Sequence, residues 1–456
     1  MLEKVLEARE KRAEKRQSMA DMKKTSISLS FNIPGYPKSD EQINTAFLAV
    51  KKDLINHLIA CRIKYSLDDS QCIIDEAGDF FIMPILSSDI SARDIKNMME
   101  DFERDHTLSR LIDVDIFDAD AKPVSSGKEK KCMMCSNPAI VCMREQTHSM
   151  EQIRAFISIM ITEHLKAERR EKISQLLTRY ATKSLLFEVS LTPKPGLVDR
   201  YSQGSHTDMD FFSFISSSSA LSFYWKDIAD IAYSWDGQEK DYTLTALRKI
   251  GIKMEEAMLH STGNINTQKG AIFIMGFTVF ACAYLLNKEI SLDDEMIQSV
   301  ITYLNKDIVK KELLSSESNN SNGEKVFFKY GSKLGGGIRQ EMEEGLPIIF
   351  EHSLPFLNSI SKEDDTERWW NDSLKDVLML IISKNDDTNI LHRSNSDILA
   401  QTKELAHICK ESKGKEKLDN YNELIDFCEK HNISPGGSAD LLAVTCFIHF
   451  IQKENI

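Results

Sequence analysis

The stretch SMEQIRAFISIMITEHLKAERREKISQLLTRYATKSLLF, residues 149–187, is where the character of the chain changes. Its apolar residues recur every three or four positions, the period of a helix with one buried face. The charged run KAERREK at 166–172 sits in its middle. That run is either a seam between domains or the solvated face of one continuous helix. Upstream, helix and strand signals alternate. Residues 2–23 keep helical spacing, TSISLSFNIPG alternates with period two and stops at Pro34-Gly35, and a second helix is predicted over about 40–63. QCIIDEAGDFFIMPIL reads as two strands around an Ala-Gly turn, and RLIDVDIFDADAKPV as a further strand. Downstream, helical periodicity fills 213–233, 244–260, 271–287, 294–315, 347–359, 369–384, 395–412 and 439–452, with hardly any strand signal. The polar run SSESNNSNGEK, 315–325, is expected to be a mobile surface loop. The fold class that follows is an α+β N-terminal domain, 1–168, followed by a larger all-α C-terminal domain, 169–456.

At 456 residues the chain is long enough for two or three cores. A 42% hydrophobic and 28% charged composition is that of a globular protein, and no apolar run approaches the roughly 20 residues of a membrane span, so no membrane partner is expected. The N-terminal MLEKVLEAREKRAEKRQ lacks the apolar core of an export signal, and the nine cysteines are mostly isolated in apolar surroundings (Cys282, Cys409, Cys446). A cytoplasmic location is expected. The formal charge of −13 argues against a nucleic-acid partner, which needs a basic face, but not against a phosphorylated small molecule held in a local pocket.

Five short connections in the second domain are rich in Gly and Pro yet carry charges or amides: EVSLTPKPGLVDRYSQGSHTDMD, STGNINTQKGAIF, GGGIRQEMEEGLP, NDDTNILHR and SPGGSADLL. Glycine lets backbone N–H groups approach phosphate oxygens, and helices predicted to start at Ala271 and Ser438 add unpaired N–H groups and a positive dipole end. Lys194, Arg200, Lys269, Arg339 and Arg393 supply positive charge. Glu188, Asp199, Asp208, Glu341, Glu343, Asp387 and Asp440 would repel a polyphosphate unless a hard cation lay between them, which favours a nucleoside triphosphate with Mg²⁺. Any single loop is better read as helix capping than as a ligand site. Glu341 and Glu343, two apart, would not share a helix face.

Taken together, these motifs resemble the triphosphoribosyl-dephospho-coenzyme A synthases of the citrate lyase system over about 165–456. The matching pieces are EVSLTPKPGLVD, G-x-H-x-D-M (Gly204, His206, Asp208, Met209), N-T-x-K-G-x-I-F (266–273), R-x-E-x-E-x-G-x-P (339–347), D-T-N (387–389) with Arg393, and S-P-G-G-S-A-D-L-L (434–442). The resemblance implies that ATP is joined to 3′-dephospho-CoA with loss of adenine. It implies Glu188, Asp208 and Glu341 as catalytic candidates. Lys194, Asp199, His206, Asn266, Lys269, Gly270, Arg339, Glu343, Asp387, Asn389, Arg393, Ser438 and Asp440 are then the ATP and phosphate site. Where the family has Gly and then His, this chain has Asn264 and Gln268; Gln340 replaces Gly, and Ser394-Asn395 follows Arg393 where Gly-Gly is usual. Asn264 suits a positive φ. Gln268 cannot titrate, so no general base is assigned there.

In the first domain, Cys132, Cys135, Cys142 and His148 are spaced C-x2-C-x6-C-x5-H, a donor set suited to a structural Zn²⁺, with ordinary buried thiols as the competing reading. Asp113 and Asp115, two apart in a strand, share a face and could hold one Mg²⁺; an exposed polar edge is the alternative. Residues 1 to about 165 resemble the citrate lyase holo-acyl-carrier-protein synthase in Arg9 and Arg12, PGYPK (34–38), E-x-x-H-x-L-x-R-L-x-D-x-D (103–115) and the Cys/His run with Arg144. The resemblance implies transfer of phosphoribosyl-dephospho-CoA to the apo acyl carrier protein subunit. Asp113 and Asp115 would be catalytic, and Lys38, His106, Arg110 and Arg144 would contact substrate. Mg²⁺ would serve both reactions. Malonate decarboxylase prosthetic-group synthesis and a non-catalytic nucleotide-binding regulator are the alternatives. Oligomeric state is not legible.

Overall fold

The computed structural model describes residues 2–125, 127, 130–310, 322–360 and 366–454. The chain divides into two compact units, Met1–Arg169 and Arg170–Ile456. The decisive stretch is one helix, α5 (Met150–Ser190), and the division falls inside it. Its Ile157 and Ile161 belong to the core of the first unit, its Ile173, Leu177, Ala181 and Leu185 to that of the second.

In the first unit, α1 (Leu2–Asp21), β1 (Ser26–Phe31), α2 (Glu41–Ala60), β2 (Gln71–Asp75), β3 (Gly78–Pro84), α3 (Ala92–Asp105), β4 (Ile112–Phe117) and α4 (Ala139–Glu145) precede α5. The strands form an antiparallel sheet in the order β2-β3-β1-β4. Period-two alternation sends Ile27, Leu29, Phe81, Met83, Val114 and Ile116 to one face, where Phe47 and Leu54 of α2 and Ile95 and Met99 of α3 cover them. Phe80 and Ile82 face the other way, onto Met19 of α1. Arg12 fastens α1 to the β2–β3 turn by bonds to Asp75 and the Gly78 carbonyl. β4 is an edge strand without an exposed ladder at its centre: Val114 N–H donates to Glu103 and its carbonyl accepts from Lys96.

The second unit is helical: α6 (Phe211–Leu221), α7 (Trp225–Ser234), α8 (Lys240–Ser261), α9 (Lys269–Asn287), α10 (Asp294–Asn305), α11 (Asn322–Tyr330), α12 (Ser332–Gly335), α13 (Gly337–Glu343), a π-turn (Ile348–Ser353), α14 (Leu354–Ile360), α15 (Glu367–Lys384), α16 (Thr388–Arg393), α17 (Ser396–Glu411), α18 (Gly414–Lys430) and α19 (Gly436–Gln452). The apolar helices α9 and α19 pack on each other, and the remaining helices surround them. One expectation needs correcting. α9 is long and apolar enough, by composition, to cross a membrane, yet 72% of its most apolar window is buried inside the unit, as a central core helix must be.

Other boundaries differ from the sequence reading. The helix expected to run to 315 stops at Asn305. Of the loop expected at 315–325, residues 315–321 lie outside the described residues, and 322–325 begin α11. The helices α13 and α16 lie within stretches read as connections. α18 was not anticipated because its buried stripe is thin, Tyr421, Leu424 and Cys428 among many polar residues.

Candidate functional site

The elbow after α5 is organised from its own polar groups. Asp199, 2% exposed, accepts the N–H groups of Lys194 (2.9 Å), Tyr201 (2.8 Å) and Ser202 (2.9 Å). Lys194 turns inward and donates to the Glu188 carboxylate and, at 3.0 Å, to the Glu188 carbonyl. Gly196, at φ +64°, lies so close to the next loop that a Cβ there would stand 2.3 Å from the Ile433 carbonyl oxygen. That close approach seats the elbow on the loop leading into α19.

The other loops meet the same place. Asp387, 2% exposed, accepts from Asn389 N–H (2.9 Å), from Ser438 N–H (2.9 Å) and from the Ser438 hydroxyl (3.0 Å), so it joins the starts of α16 and α19. Burial pushes its carboxyl above the usual range against these donors. Burial, and then the charges of Glu188 and Asp387, raise Asp440 well above its ordinary value, with Ala271 N–H opposing. A Cβ at Gly270 would fall 2.0 Å from an Asp440 oxygen, so this glycine is what lets α9 begin against that carboxylate. At Gly436 a Cβ would stand 2.9 Å from the Asn389 amide nitrogen, and at Gly337 2.6 Å from the Thr388 methyl. Segments of all five loops therefore converge near Glu188, Asp387 and Asp440.

Beside this acidic centre His206 donates or accepts at Ser434 Oγ (2.9 Å) through Nε2 and meets Arg393 through Nδ1 (3.3 Å). Since Arg393 can only donate, the Nε2 proton points to Ser434. Burial, then the Arg393 charge, lowers the His206 pKa, with Asp208 at 3.8 Å opposing. Arg393 also holds the Ser205 carbonyl at 2.7 Å. On the other side of Gly270, Lys269 and Arg339 line a cavity of about 340 Å³ with Arg248, Lys306, Phe273 and Phe277. Lys269 pairs with Glu255 at 2.8 Å, and its N–H bonds to the Asn266 side chain.

Glu341 and Glu343 diverge, as their two-residue spacing predicts. Glu341 accepts Ile348 N–H, and burial holds it at about 7; Glu343 instead caps the chain after α10 through Asp307 and Val309 N–H. Asn264 has φ +70°, as expected for Asn there. Gln268 is buried against Ser217 and Ser218 of α6, a packing role with no titratable group. Asn385, which bonds Ser438 at 3.0 Å and Asp387 at 3.4 Å, was missed; it ends a helix, where a lone amide reads as a cap. Glu255 and Arg248, on the solvated-looking face of α8, carried no sequence signal either.

In the first unit Asp113 and Asp115 do share a face of β4, opposite Ser30 and Ser28 of β1. Asp113 pairs with Lys130 at 2.6 Å. Burial, then the Asp113 charge, raises Asp115; burial likewise raises Glu103. Arg16, whose guanidinium stacks 4.6 Å over Phe117, adds attraction for Asp115. Lys38 donates to the Ile33 carbonyl, and burial, then the charges of Arg9 and Arg154, lowers its pKa. His106 is engaged elsewhere: Nδ1 accepts Leu108 N–H, leaving Nε2–H for Asp53 at 3.3 Å, and His164 lies alongside. Arg110 turns its Nη1 onto the carbonyls of Cys132, Met133 and Cys135. Arg144 is exposed on α4. The ligand atoms of Cys132, Cys135, Cys142 and His148 all lie within 4.8 Å of one another.

Residues 1–164 match the family model described as apo-citrate lyase phosphoribosyl-dephospho-CoA transferase, and residues 174–456 match that of ATP:dephospho-CoA triphosphoribosyl transferase. Protein CitXG of Leuconostoc mesenteroides subsp. cremoris is 32% identical over 97% of this chain and 96% of its own length. A probable 2-(5''-triphosphoribosyl)-3'-dephosphocoenzyme-A synthase of Streptococcus mutans serotype c is 32% identical over 63% of this chain and 99% of its own, and the synthase of Pectobacterium atrosepticum 31% over 65% and 97%. With one match ending in α5 and the other beginning in it, the chain belongs to the family in which a citrate lyase phosphoribosyl-dephospho-CoA transferase is fused to a triphosphoribosyl-dephospho-CoA synthase.

Proposed function

We propose that the second unit makes, and the first unit attaches, the prosthetic group of citrate lyase. In the synthase step the 2′-hydroxyl of 3′-dephospho-CoA attacks C1 of the ATP ribose, the new C–O bond forms and the bond to adenine breaks. A carboxylate must take the hydroxyl proton. Glu341 is our candidate, because burial holds it at about 7, near the pH at which a general base works best. The cationic mouth of the cavity, Lys269, Arg248 and Arg339, suits the triphosphate, and its apolar wall with Phe273 and Phe277 suits an adenine ring. Arg393 and His206 would bind a further phosphate oxygen at the Ser434 loop.

In the transfer step a serine hydroxyl of the apo carrier protein attacks the α-phosphorus, forming the Ser O–P bond as pyrophosphate leaves. Asp115 or Glu103, raised by burial, would accept the serine proton. The Arg9, Lys38 and Arg154 charges repel one another, and an anionic substrate would relieve that repulsion. The donor sets fit a hard cation: Glu188, Asp387 and Asp440 form a buried acidic group, with Lys194 bonded to Glu188, and Asp113 and Asp115 share one strand face. Mg²⁺ held there would offset phosphate charge in both steps. Nine free thiols suit a reducing cytoplasm.

The observation that carries this reading is that both family matches lie on one chain, which also favours citrate lyase over malonate decarboxylase. The test is incubation with ATP, Mg²⁺ and dephospho-CoA, following free adenine and then label on apo carrier protein. Adenine release followed by labelling is expected; a nucleotide-binding regulator would release none.

A further inference from the structure

We infer that Cys132, Cys135, Cys142 and His148 bind one Zn²⁺, and that the metal fastens residues 130–148, the segment that carries Lys130 to Asp113. The four ligand atoms lie within 4.8 Å of one another, close enough to share one ion. Cys135 and Cys142 sulfurs are 3.4 Å apart, and His148 Nε2 is 3.4 Å from the Cys135 sulfur. Two sulfurs each about 2.3 Å from a tetrahedral ion would stand roughly 3.7 Å apart. The backbone N–H groups of Met134 and Cys135 turn toward the Cys132 sulfur, the geometry in which a tight C-x2-C turn steadies a thiolate. Arg110 closes the turn from outside by gathering three of its carbonyls, and Cys132 N–H bonds to the Asn137 carbonyl. All donors are N and S, the set that selects Zn²⁺ over the oxygen-seeking Mg²⁺.

The second argument is the poverty of the segment's core. Between 130 and 148 the buried residues are Cys132 and Cys142, while Ile140 and Met143 are 52% and 77% exposed. A seven-residue helix and a turn with so little apolar burial need another source of order, and a structural metal supplies it directly. Arginine at 110 stands two residues before β4, and Lys130 is tied to the segment by the Ala139 N–H bond to its carbonyl. The metal thus fixes where the Lys130 backbone stands, within reach of Asp113, and leaves its side chain exposed.

Metal content and hydrogen exchange of the full chain, purified without chelator, test this without reference to turnover. About one zinc per chain is expected, lost in Cys135→Ser and in His148→Ala but kept in Cys72→Ser, whose thiol lies outside the cluster. Should the ligand variants fail to fold, Co²⁺ added to the chelated wild-type chain is expected to give the intense visible bands of a tetrahedral thiolate site. Removing the metal should speed exchange several-fold in 130–148 and β4, and leave α9 unchanged. No zinc together with no tetrahedral cobalt spectrum would overturn the site. Zinc retained in a ligand variant would overturn the ligand set, and unchanged exchange in 130–148 would overturn the fastening role.

Discussion

Two lysine–carboxylate pairs show how differently the two units use the same chemistry. In the synthase unit Lys194 and Glu188 have side chains 1% and 6% exposed, whereas in the transferase unit Lys130 and Asp113 are 71% and 20% exposed. Water screens the second pair and cannot reach the first. A buried pair is part of the fold: removal of either charge leaves the other stranded away from water. A surface pair is exchangeable, so an arriving phosphate can take Lys130 from Asp113 at little energetic cost. If these groups form the two sites, the synthase site would be preformed around fixed charges and the transferase site would have charges that substrate can redistribute.

The sharpest way to break this comparison is Lys194→Ala. It should destabilise the second unit by about 3–5 kcal/mol, because Glu188 is left buried beside Asp440 without its cation. Denaturant unfolding followed in that unit checks it; a loss of adenine release with unchanged stability would mean that Lys194 serves substrate alone. Next comes pH. Glu341 binds its proton more tightly folded, at about 7, than unfolded near 4.5, so the folded state carries more protons across that interval. Stability of the second unit should therefore be highest below about 4.5 as far as this group is concerned, and fall by on the order of 3 kcal/mol as pH rises through 7. Glu341→Gln should flatten that slope, which unfolding at pH 5 and pH 8 will reveal.

Asp113→Asn should slow labelling of the carrier protein by roughly 10²-fold or more while leaving adenine release intact, since the groups belong to different units. Loss of both activities in a folded variant would break the idea of two independent sites. The smallest effect sharpens the contrast most: Lys130→Ala should alter stability by less than about 1 kcal/mol, as screened surface pairs do. A loss comparable with that of Lys194→Ala would show that exposure does not distinguish the two pairs.

β1 and β4 were legible because their apolar and polar residues alternate, and that alternation sends Asp113 and Asp115 to one face; β3, buried on both faces, was legible as an apolar run bounded by Gly78 and Pro84. α18 was not legible, because three buried residues in 17 leave almost no stripe. The family resemblance implies Arg110 and His106 as substrate contacts; their bonds to the Cys132 loop and to Asp53, 22 and 53 residues away, are what the fold adds. Local pattern carries no record of such partners.

By itself, then, the sequence determined the α+β and all-α division, the five Gly- and Pro-rich loops, the spacing of the Cys/His run, and the fusion of two family patterns. Each is a short-range property, set by side-chain period, backbone freedom or motif spacing along the chain. Only the tertiary structure decided that Lys194 is turned inward on Glu188, that Gly270 exists for Asp440, that Glu343 leaves the site while Glu341 stays buried, and that Asn385 belongs with Asp387 and Ser438. Those outcomes follow from burial and from distances between loops tens to hundreds of residues apart, where desolvation and the requirement that every buried polar group find a partner select one arrangement.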